Sequence, residues 1–464
     1  MMSAPWTALP IRSAARAGLL IAALLAAVAL SRRSKGRDAH RRGARIVDGR
    51  AARRRTARLQ LLRAQPRLTL GGVGIAAADE VKHFKLIGTT GTGKSTAIRE
   101  LLRAALDRGD RAVVTDPDGA YLARFHDPGR GDVVLNPFDR RSPRWDPFGE
   151  VRERYDAEQL ASSLIPTTED ASGREWRGYA RTFLTAVVRR CHEVGRHDAA
   201  ELWRLIAMAP SAELRPILAG TPAQAFLEPE NARMFGSIRS VASSAAAALE
   251  HVQVQRAPAF SVRHWIDGGR GVLFLPYRAN QIAALRTMVA TWVRLAIFEV
   301  MSGEGTGERL WLIVDELDAL GAIDGLKDAL ARLRKFGGRC VLGFQSLAQV
   351  SGTYGAGEAQ TIVENCGNTL ILRCSASEHG GTSQFASRLI GEREVTRRST
   401  SRGRDGSGFP GGRGWRRSLN VSEQRVTEAA VLASELEQLP DLSGYLKTAS
   451  SPVWLRVRLR PEDA

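Results

Sequence analysis

The sequence predicts an α/β fold with a mostly parallel, doubly wound sheet, an inserted all-α domain and an N-terminal membrane anchor. Strand-like apolar runs alternate with helical periods over about residues 68–150, and again from "GVLFLPY" (271–277) to about residue 390. Such alternation is typical of parallel sheets covered by helices. Residues 153–265 show helical periods and no strong strand pattern. Residues 17–30, "AGLLIAALLAAVAL", are apolar throughout.

The apolar run near the N-terminus has fourteen residues, fewer than the ~20 that a helix needs to cross a bilayer. Extension back to Ile11 gives a full span that includes Arg12 and Arg16, whose side chains can snorkel to the interface. Seven Arg or Lys follow between residues 32 and 45. The positive-inside rule then puts the rest of the chain in the cytoplasm. A membrane anchor and a basic segment held against anionic lipid are therefore expected; a soluble start is the alternative.

The formal charge of +18 is concentrated in two places. Residues 1–65 carry fifteen Arg or Lys against two Asp, and residues 397–417 carry seven Arg against one Asp. The remaining chain is nearly neutral, so bulk charge is weak evidence for a nucleic-acid partner.

The four cysteines have no Cys-x-x-Cys spacing, so neither a disulfide framework nor a zinc site is indicated.

Residues 84–96, "FKLIGTTGTGKST", join an apolar strand to a glycine-rich turn and a helix start. The turn fits the phosphate-loop pattern G-x-x-x-x-G-K-[ST]. Its glycines let backbone N–H groups turn inward around phosphates, and the helix dipole adds to the anion site. Lys94 is expected to reach the β- and γ-phosphates, and the Ser95 hydroxyl to ligate Mg²⁺. The expected nucleotide-binding residues are Gly88, Thr89, Thr90, Gly91, Thr92, Gly93, Lys94, Ser95 and Thr96.

Two later strands end in polar residues suited to the same site. In "LWLIVDE" (310–316), Asp315 can hold the Mg²⁺ shell and Glu316 can polarise an attacking water. "RCVLGFQ" (339–345) ends in Gln345, which is suited to sensing the γ-phosphate; a strand end without a role is the alternative. The expected metal ligands are Ser95 and Asp315, and the expected catalytic residues are Lys94, Glu316 and Gln345.

The segment 397–418, "RRSTSRGRDGSGFPGGRGWRRS", is rich in Gly, Ser and Arg and includes Phe409 and Trp415. Its composition predicts a flexible loop. Phosphate neutralisation and base stacking would allow it to contact a single nucleic-acid strand. A flexible hairpin tip without a function is the alternative.

Five stretches, in this order, resemble the TraD/TraG-type coupling proteins of type IV secretion and conjugation, which are P-loop ATPases of the FtsK/HerA-like group. They are "GTTGTGKST", "RAVVTDPDGAYLARF", "DVVLNPFDRRSPRWDPFGE", "LWLIVDELDALGAIDGLKDALARLRKFGG" and "VLGFQSLAQV". The resemblance covers about residues 68–460. It implies a RecA-like fold, ATP and Mg²⁺ as cofactors, and a homo-hexamer at the bacterial inner membrane with a cytoplasmic ATPase domain. The implied partners are a single DNA strand with its attached relaxase and the type IV secretion channel.

The resemblance also implies an arginine finger at Arg334, which would act on the ATP of a neighbouring subunit. The stretch "RLRKFGGR" offers Arg332 and Arg339 as well, and a solvated basic helix end is the alternative.

Family members commonly have two membrane spans, whereas one short span is visible here. The predicted segments are 1–31 as membrane anchor, 32–67 as basic linker, 68–152 and 266–464 as the nucleotide-binding domain, and 153–265 as the inserted all-α domain.

The function that these features favour is a membrane-anchored, ATP-driven DNA translocase that couples a relaxase-bound strand to a secretion channel. An FtsK-like double-stranded DNA pump is one alternative. A membrane receptor or adaptor that recruits protein substrates, with ATP used for assembly, is another. Glu316 argues against the receptor, because a binding module has no need of a carboxylate that polarises water.

Overall fold

The computed structural model describes residues 39–61, 68–167, 171–303, 309–377, 381–405 and 416–461. The predicted anchor at 1–31 lies outside these residues. Within the described part of the chain, no helix combines the length and the apolar character that spanning a membrane requires. The chain divides into a hairpin unit (Met1–Arg45 and Ile390–Ala430) and a sheet unit (Ile46–Leu389 and Val431–Ala464).

Strands and helices alternate over much of the sheet unit. The strands of the described residues are β1 (Ala39–Gly43), β2 (Ile46–Asp48), β3 (Thr69–Leu70), β4 (Val73–Gly74), β5 (Phe84–Ile87), β6 (Arg111–Pro117), β7 (Val133–Val134), β8 (Arg144–Trp145), β9 (Ala259–Phe260), β10 (Val272–Tyr277), β11 (Leu310–Val314), β12 (Gly338–Phe344), β13 (Asn368–Ile371), β14 (Glu392–Asp405), β15 (Arg416–Ala429), β16 (Ser443–Lys447) and β17 (Trp454–Arg458). The helices are α1 (Arg50–Leu61), α2 (Ala77–Glu80), α3 (Lys94–Leu106), α4 (Ala120–Phe125), α5 (Arg154–Leu164), α6 (Ala171–Glu193), α7 (Ala199–Ala207), α8 (Ser211–Leu218), α9 (Ala232–Ala246), α10 (Leu249–Gln253), α11 (Val262–Gly268), α12 (Ile282–Ser302), α13 (Leu326–Leu333), α14 (Leu347–Tyr354), α15 (Ala356–Asn365), α16 (Gly381–Ile390) and α17 (Ala433–Glu437).

The sheet unit is organised around a ten-stranded sheet of order β2-β17-β16-β13-β5-β12-β11-β6-β10-β7. All neighbouring strands from β13 to β7 are parallel. Strand β16 is antiparallel to both of its neighbours, and β2 runs parallel to β17. Strands β5, β11 and β12 are buried along their whole length, as parallel strands covered on both faces must be. The predicted mostly parallel sheet is therefore confirmed.

Helix α3 covers one face of this sheet. Its buried residues recur at helical spacing and pack against β5, β6, β11 and β12. Complete burial of one Leu or Ile side chain is worth about 1.5–3 kcal/mol, so this stripe fixes α3 on the sheet. The buried α3 residues are Ala97, Ile98, Leu101, Leu102 and Ala105. Because α3 begins where the glycine-rich turn ends, this packing also fixes the turn.

Between β8 and β9 the regular structure is helical, apart from short 3₁₀ turns. Helix α6 packs against α5 and α9, with the rings of Phe183 and Phe235 in a T-shaped contact at 5.3 Å between centroids. Strands β8 and β9 pair with each other in parallel, with Trp145 opposite Phe260. The two ends of the helical segment are thereby held side by side.

The hairpin unit differs from the sequence expectation of a flexible loop at 397–418. Strands β14 and β15 pair antiparallel over fourteen residue pairs, and β1 pairs with β14; of the loop, only 406–415 lie outside the described residues. Arg393 and Arg397 both contact the Glu428 carboxylate across the ladder, at 2.9 and 2.6 Å. Cross-strand pairs of this kind stabilise sheets. The Gly/Ser/Arg-rich composition of the segment gives no indication of such pairs, so the sequence did not predict the two strands. Elements β1, β2 and α1 likewise lie inside the predicted linker 32–67.

Candidate functional site

The carboxyl ends of β5, β11 and β12 meet at one edge of the sheet, as the parallel arrangement requires. A cavity of about 320 Å³ opens there. It contains most of the predicted site residues, together with two that the sequence did not single out, Arg99 and Leu442. The lining residues are Thr90, Gly91, Gly93, Lys94, Ser95, Thr96, Arg99, Asp315, Glu316, Gln345 and Leu442.

The glycine-rich turn wraps around the Lys94 ammonium. Nζ donates hydrogen bonds to the carbonyls of Gly88, at 2.6 Å, and Thr89, at 3.1 Å. Burial lowers the pKa of Lys94, and the negative charges of Asp315 and Glu316 oppose this shift. The ammonium thus lies beside the carboxylates at the edge of the sheet, where a phosphate can compete for its hydrogen bonds.

Gly93 shows why the turn needs glycine. Its φ of +113° lies in the left-handed region. A Cβ atom at this position would come within 2.8 Å of the Leu442 Cδ2 atom. Leu442 itself has φ +61°, and its N–H donates to the Thr92 carbonyl at 2.9 Å. The segment before β16 therefore packs against the turn, a contact for which the local sequence around Leu442 carries no signal.

Asp315 is placed as a metal ligand would be. Its Oδ2 atom accepts hydrogen bonds from Ser95 Oγ, at 2.8 Å, and Tyr121 Oη, at 2.7 Å. Its Oδ1 atom is buried without a hydrogen-bond partner among the described residues. A buried carboxylate oxygen without a partner is unfavourable, and carboxylate and hydroxyl oxygens suit Mg²⁺. The donor set therefore fits a magnesium ion held by Asp315 and Ser95.

Tyr121 was missed by sequence reasoning. It occurs within "DPDGAYLARF" but has the burial pattern of an ordinary core residue. Asp116, at the end of β6, accepts hydrogen bonds from the backbone N–H groups of Tyr121, at 3.0 Å, and Leu122, at 2.7 Å. Burial raises the pKa of Asp116 to about 6. Asp116 thus caps α4 and holds Tyr121 where its hydroxyl reaches Asp315.

Glu316 is linked to the glycine-rich turn through one amide side chain. Gln345 Nε2 donates to Glu316 Oε1 at 3.3 Å, and Thr90 Oγ1 donates to Gln345 Oε1 at 3.0 Å. Burial raises the pKa of Glu316, and the negative charges of Asp315 and Asp318 raise it further. A raised pKa makes this carboxylate a stronger base. The turn, the β12 end and the Glu316 carboxylate are therefore connected by hydrogen bonds.

The three candidate arginines have different environments. Arg339 is buried, its Nε lies 3.3 Å from Glu80 Oε2, and its guanidinium stacks 5.8 Å from the Trp311 ring centroid. Arg332 and Arg334 are exposed at the end of α13. None of the three lines the cavity of its own chain. Only Arg332 and Arg334 are accessible to another subunit.

Residues 67–460 match the sequence profile of one protein family. This family is described as the type IV secretion-system coupling protein DNA-binding domain. The chain belongs to this family. The coupling protein TraD of Escherichia coli K12 is 29% identical over 391 residues, which are 82% of this chain and 52% of TraD. The chain therefore spans about half the length of this curated relative.

Solved coupling proteins have the same fold. The unbound monoclinic form of the conjugative coupling protein TrwBdeltaN70 is 32% identical with a TM-score of 0.79, covering 91% of this chain and 94% of that one. TrwB in complex with ADP and Mg²⁺ is 31% identical with a TM-score of 0.79, covering 92% and 96%. The sheet unit of this coupling protein is therefore RecA-like, as predicted.

Proposed function

We propose that this coupling protein is a membrane-anchored, ATP-hydrolysing DNA translocase that couples a relaxase-bound single strand to a type IV secretion or conjugation channel. One observation carries the proposal: the Ser95–Asp315 hydrogen bond and the Glu316–Gln345 hydrogen bond lie in the cavity that contains Lys94. A phosphate site, a metal site and a base are what nucleotide hydrolysis requires. The TrwB complex with ADP and Mg²⁺ supports this assignment by homology.

Asp315 and Ser95 would hold Mg²⁺, and Lys94 would bind the β- and γ-phosphates. When bound, the ion supplies positive charge to the phosphate oxygens. Lys94 exchanges its hydrogen bonds with the Gly88 and Thr89 carbonyls for bonds to phosphate. The N–H groups of the turn and the N-terminus of α3 bind the remaining phosphate oxygens. Tyr121 keeps the Asp315 carboxylate oriented through Oδ2, so Oδ1 would be available to hold the ion.

Glu316 acts on the attacking water. Its carboxylate accepts a hydrogen bond from this water and increases the nucleophilicity of the oxygen. Gln345 orients the carboxylate from one side and contacts Thr90 in the phosphate loop. A change in the shape of the loop can therefore reach Glu316 through Gln345.

A ring of subunits would complete the site. The exposed Arg334, with Arg332 beside it, supplies positive charge to the nucleotide of a neighbouring copy in a homo-hexamer. Hydrolysis at these interfaces would drive a DNA strand through the ring. Residues 1–31 would anchor the ring in the inner membrane with the ATPase domain in the cytoplasm. The family description, which names a DNA-binding domain, favours DNA over protein as the cargo.

The test is steady-state ATP hydrolysis by the full chain in detergent, with and without single-stranded DNA. Lys94→Ala and Glu316→Gln should abolish turnover, whereas Lys94→Ala alone should also abolish nucleotide binding. Lys335→Ala and Glu250→Gln are matched controls on exposed side chains.

Three outcomes separate the candidate functions. Turnover that is stimulated by single strands and lost in both site variants supports the translocase. Stimulation by duplex DNA alone would favour an FtsK-like pump. Tight nucleotide binding without hydrolysis would favour the receptor or adaptor and would refute the enzymatic proposal.

A further inference from the structure

Arg99 lines the nucleotide cavity but has no part in the mechanism described above. It lies in the second turn of α3, and its side chain is half-buried. In the described part of the chain its guanidinium makes one hydrogen bond, from Nη2 to Thr96 Oγ1 at 3.2 Å, and its Nε atom is buried without a partner. A guanidinium has several N–H donors, so most of the donors of Arg99 are not used within the chain.

Arg108, just after the end of α3, shows how a guanidinium is paired elsewhere in this unit. Its Nε atom is also unpaired, but its charge is balanced by the Glu80 carboxylate at 2.8 Å and the Asp110 carboxylate at 2.5 Å. Arg99 has no carboxylate partner of this kind among the described residues. A partly buried charge without a counter-ion is unfavourable. Because Arg99 lines the cavity, we expect its counter-ion to be an anion bound there.

The side chain of Arg99 is directed towards the start of α3. Side chains on a helix tilt towards its N-terminus, so a long side chain covers the turn before its own Cα atom. The hydrogen bond to Thr96, one turn earlier, shows this direction for Arg99. The start of a helix is where backbone N–H groups and the helix dipole attract phosphate. Arg99 therefore brings a second positive charge, besides Lys94, to the phosphate end of the cavity.

The roles of the other lining residues indicate which phosphate Arg99 would meet. In the proposed mechanism Lys94 binds the β- and γ-phosphates, and Glu316 acts on the water that attacks the γ-phosphate. Thr96 and Arg99 line the same cavity and have no role in binding these two phosphates, the ion or the water. The α-phosphate is the anionic group of the nucleotide that still lacks a side-chain partner. Elimination therefore assigns it to Arg99.

We propose that Arg99 is a nucleotide-binding residue whose guanidinium donates hydrogen bonds to the α-phosphate of the bound nucleotide. Hydrogen bonds from a guanidinium to a phosphate are charge-assisted and strong. ADP and ATP both carry this phosphate, so the contact is the same in substrate, transition state and product. Such uniform binding lowers KM without raising kcat. The inference rests on the nucleotide site of the proposed function and adds a residue to it.

The first measurement is the affinity of the full chain in detergent for fluorescent analogues of ADP and ATP, with Mg²⁺ present. Arg99→Met keeps the aliphatic stem and the helix propensity of arginine and removes the charge. We expect both dissociation constants to rise by the same factor, about ten- to a hundredfold. Arg99→Lys retains the charge but not the planar array of donors, so its dissociation constants should lie between those of wild type and Arg99→Met.

Arg103→Met is the matched control. Arg103 lies one turn further along α3, its guanidinium is 5.4 Å from the Phe125 ring centroid, and it does not line the cavity. Its replacement should leave both affinities unchanged. Thermal unfolding gives a second readout: Arg99→Met should keep the melting temperature of the nucleotide-free protein and reduce the rise that ADP produces. A purely structural arginine would lower the first value.

Steady-state hydrolysis separates binding from catalysis. Arg99→Met should raise the KM for ATP by the same factor as the dissociation constants and leave kcat unchanged. A lower kcat with unchanged affinity for the ADP analogue would assign Arg99 to the transition state and overturn the α-phosphate contact.

The outcomes distinguish this inference from the proposed function. Unchanged affinity for both analogues, or a loss confined to the ATP analogue, would overturn the role of Arg99 and leave the ATPase assignment standing. Weaker binding of both analogues to Arg99→Met, in a chain whose wild type hydrolyses no ATP, would support the contact and refute the enzymatic proposal. If the wild-type chain binds neither analogue, both proposals fail.

Discussion

Protonation of His83 should lower the free energy of unfolding of the sheet unit when the pH falls from 6.5 to 4. The ring is buried immediately before β5. Its Nδ1 accepts a hydrogen bond from the Cys340 N–H at 3.0 Å, and its Nε2 donates to the Leu330 carbonyl at 2.8 Å. This pattern requires the neutral ring with its proton on Nε2. A second proton on Nδ1 would face the Cys340 N–H and break that bond.

The size of the effect follows from the pKa of the ring. Burial, helped by the positive charges of Arg334 and Arg339, lowers the pKa of His83 from 6.5 to about 4. Because the folded-state pKa lies below the unfolded value, the contribution is complete above pH 6.5 and is lost as the pH falls through 4. One pKa unit corresponds to about 1.4 kcal/mol. The expected loss is therefore about 2 kcal/mol by pH 5 and about 3 kcal/mol by pH 4.

The assay is urea unfolding of the full chain, followed by tryptophan fluorescence at about pH 7.5 and about pH 5. His83→Gln retains one donor and one acceptor but does not titrate. The wild type should lose about 2 kcal/mol more than this variant between the two pH values. His264→Gln, on an exposed histidine, should behave like the wild type. Parallel pH profiles for wild type and His83→Gln would refute the assignment of a neutral buried ring.

Three further predictions concern the site and its support. Tyr121→Phe removes one donor to Asp315 Oδ2, so the Mg²⁺ concentration for half-maximal turnover should rise about tenfold; an unchanged magnesium titration would contradict the metal site. Lys85→Met removes the buried ammonium that donates to the Val363 carbonyl in the last turn of α15 and to the Cys366 carbonyl, and urea unfolding should show a loss of about 2–4 kcal/mol. Arg334→Ala and Lys94→Ala proteins should each be inactive on their own. If Arg334 acts on the nucleotide of a neighbouring subunit, a mixture in which the two kinds of subunit exchange should recover up to about a quarter of the wild-type rate, because some sites then combine an intact Lys94 with an intact neighbouring Arg334. Arg332→Ala serves as the control for the last experiment.

The sequence predicted the parts of the site that are encoded locally. The phosphate loop is a contiguous pattern with a fixed backbone geometry, and Asp315, Glu316 and Gln345 follow apolar strands that a parallel sheet aligns at one edge. Tyr121 and Leu442 could not be predicted, because their contacts depend on a helix cap and on a segment from the far end of the chain. Strands β14 and β15 were missed for a different reason: they form a hairpin of consecutive strands, but their Gly/Ser/Arg-rich composition is that of a loop.

Strand β12 connects the two parts of the proposed mechanism. It begins at Gly338, directly after the exposed Arg334 segment, and ends one residue before Gln345, whose amide binds Glu316. His83 bonds both to this strand, at Cys340, and to α13, at Leu330. If phosphate binding moves Gln345, the displacement is applied to one end of a buried, fully paired strand, and closely packed interiors transmit strain. The arginine segment precedes the other end of this strand, so the proposed mechanism offers a route from one nucleotide site to the surface that a neighbouring subunit would contact.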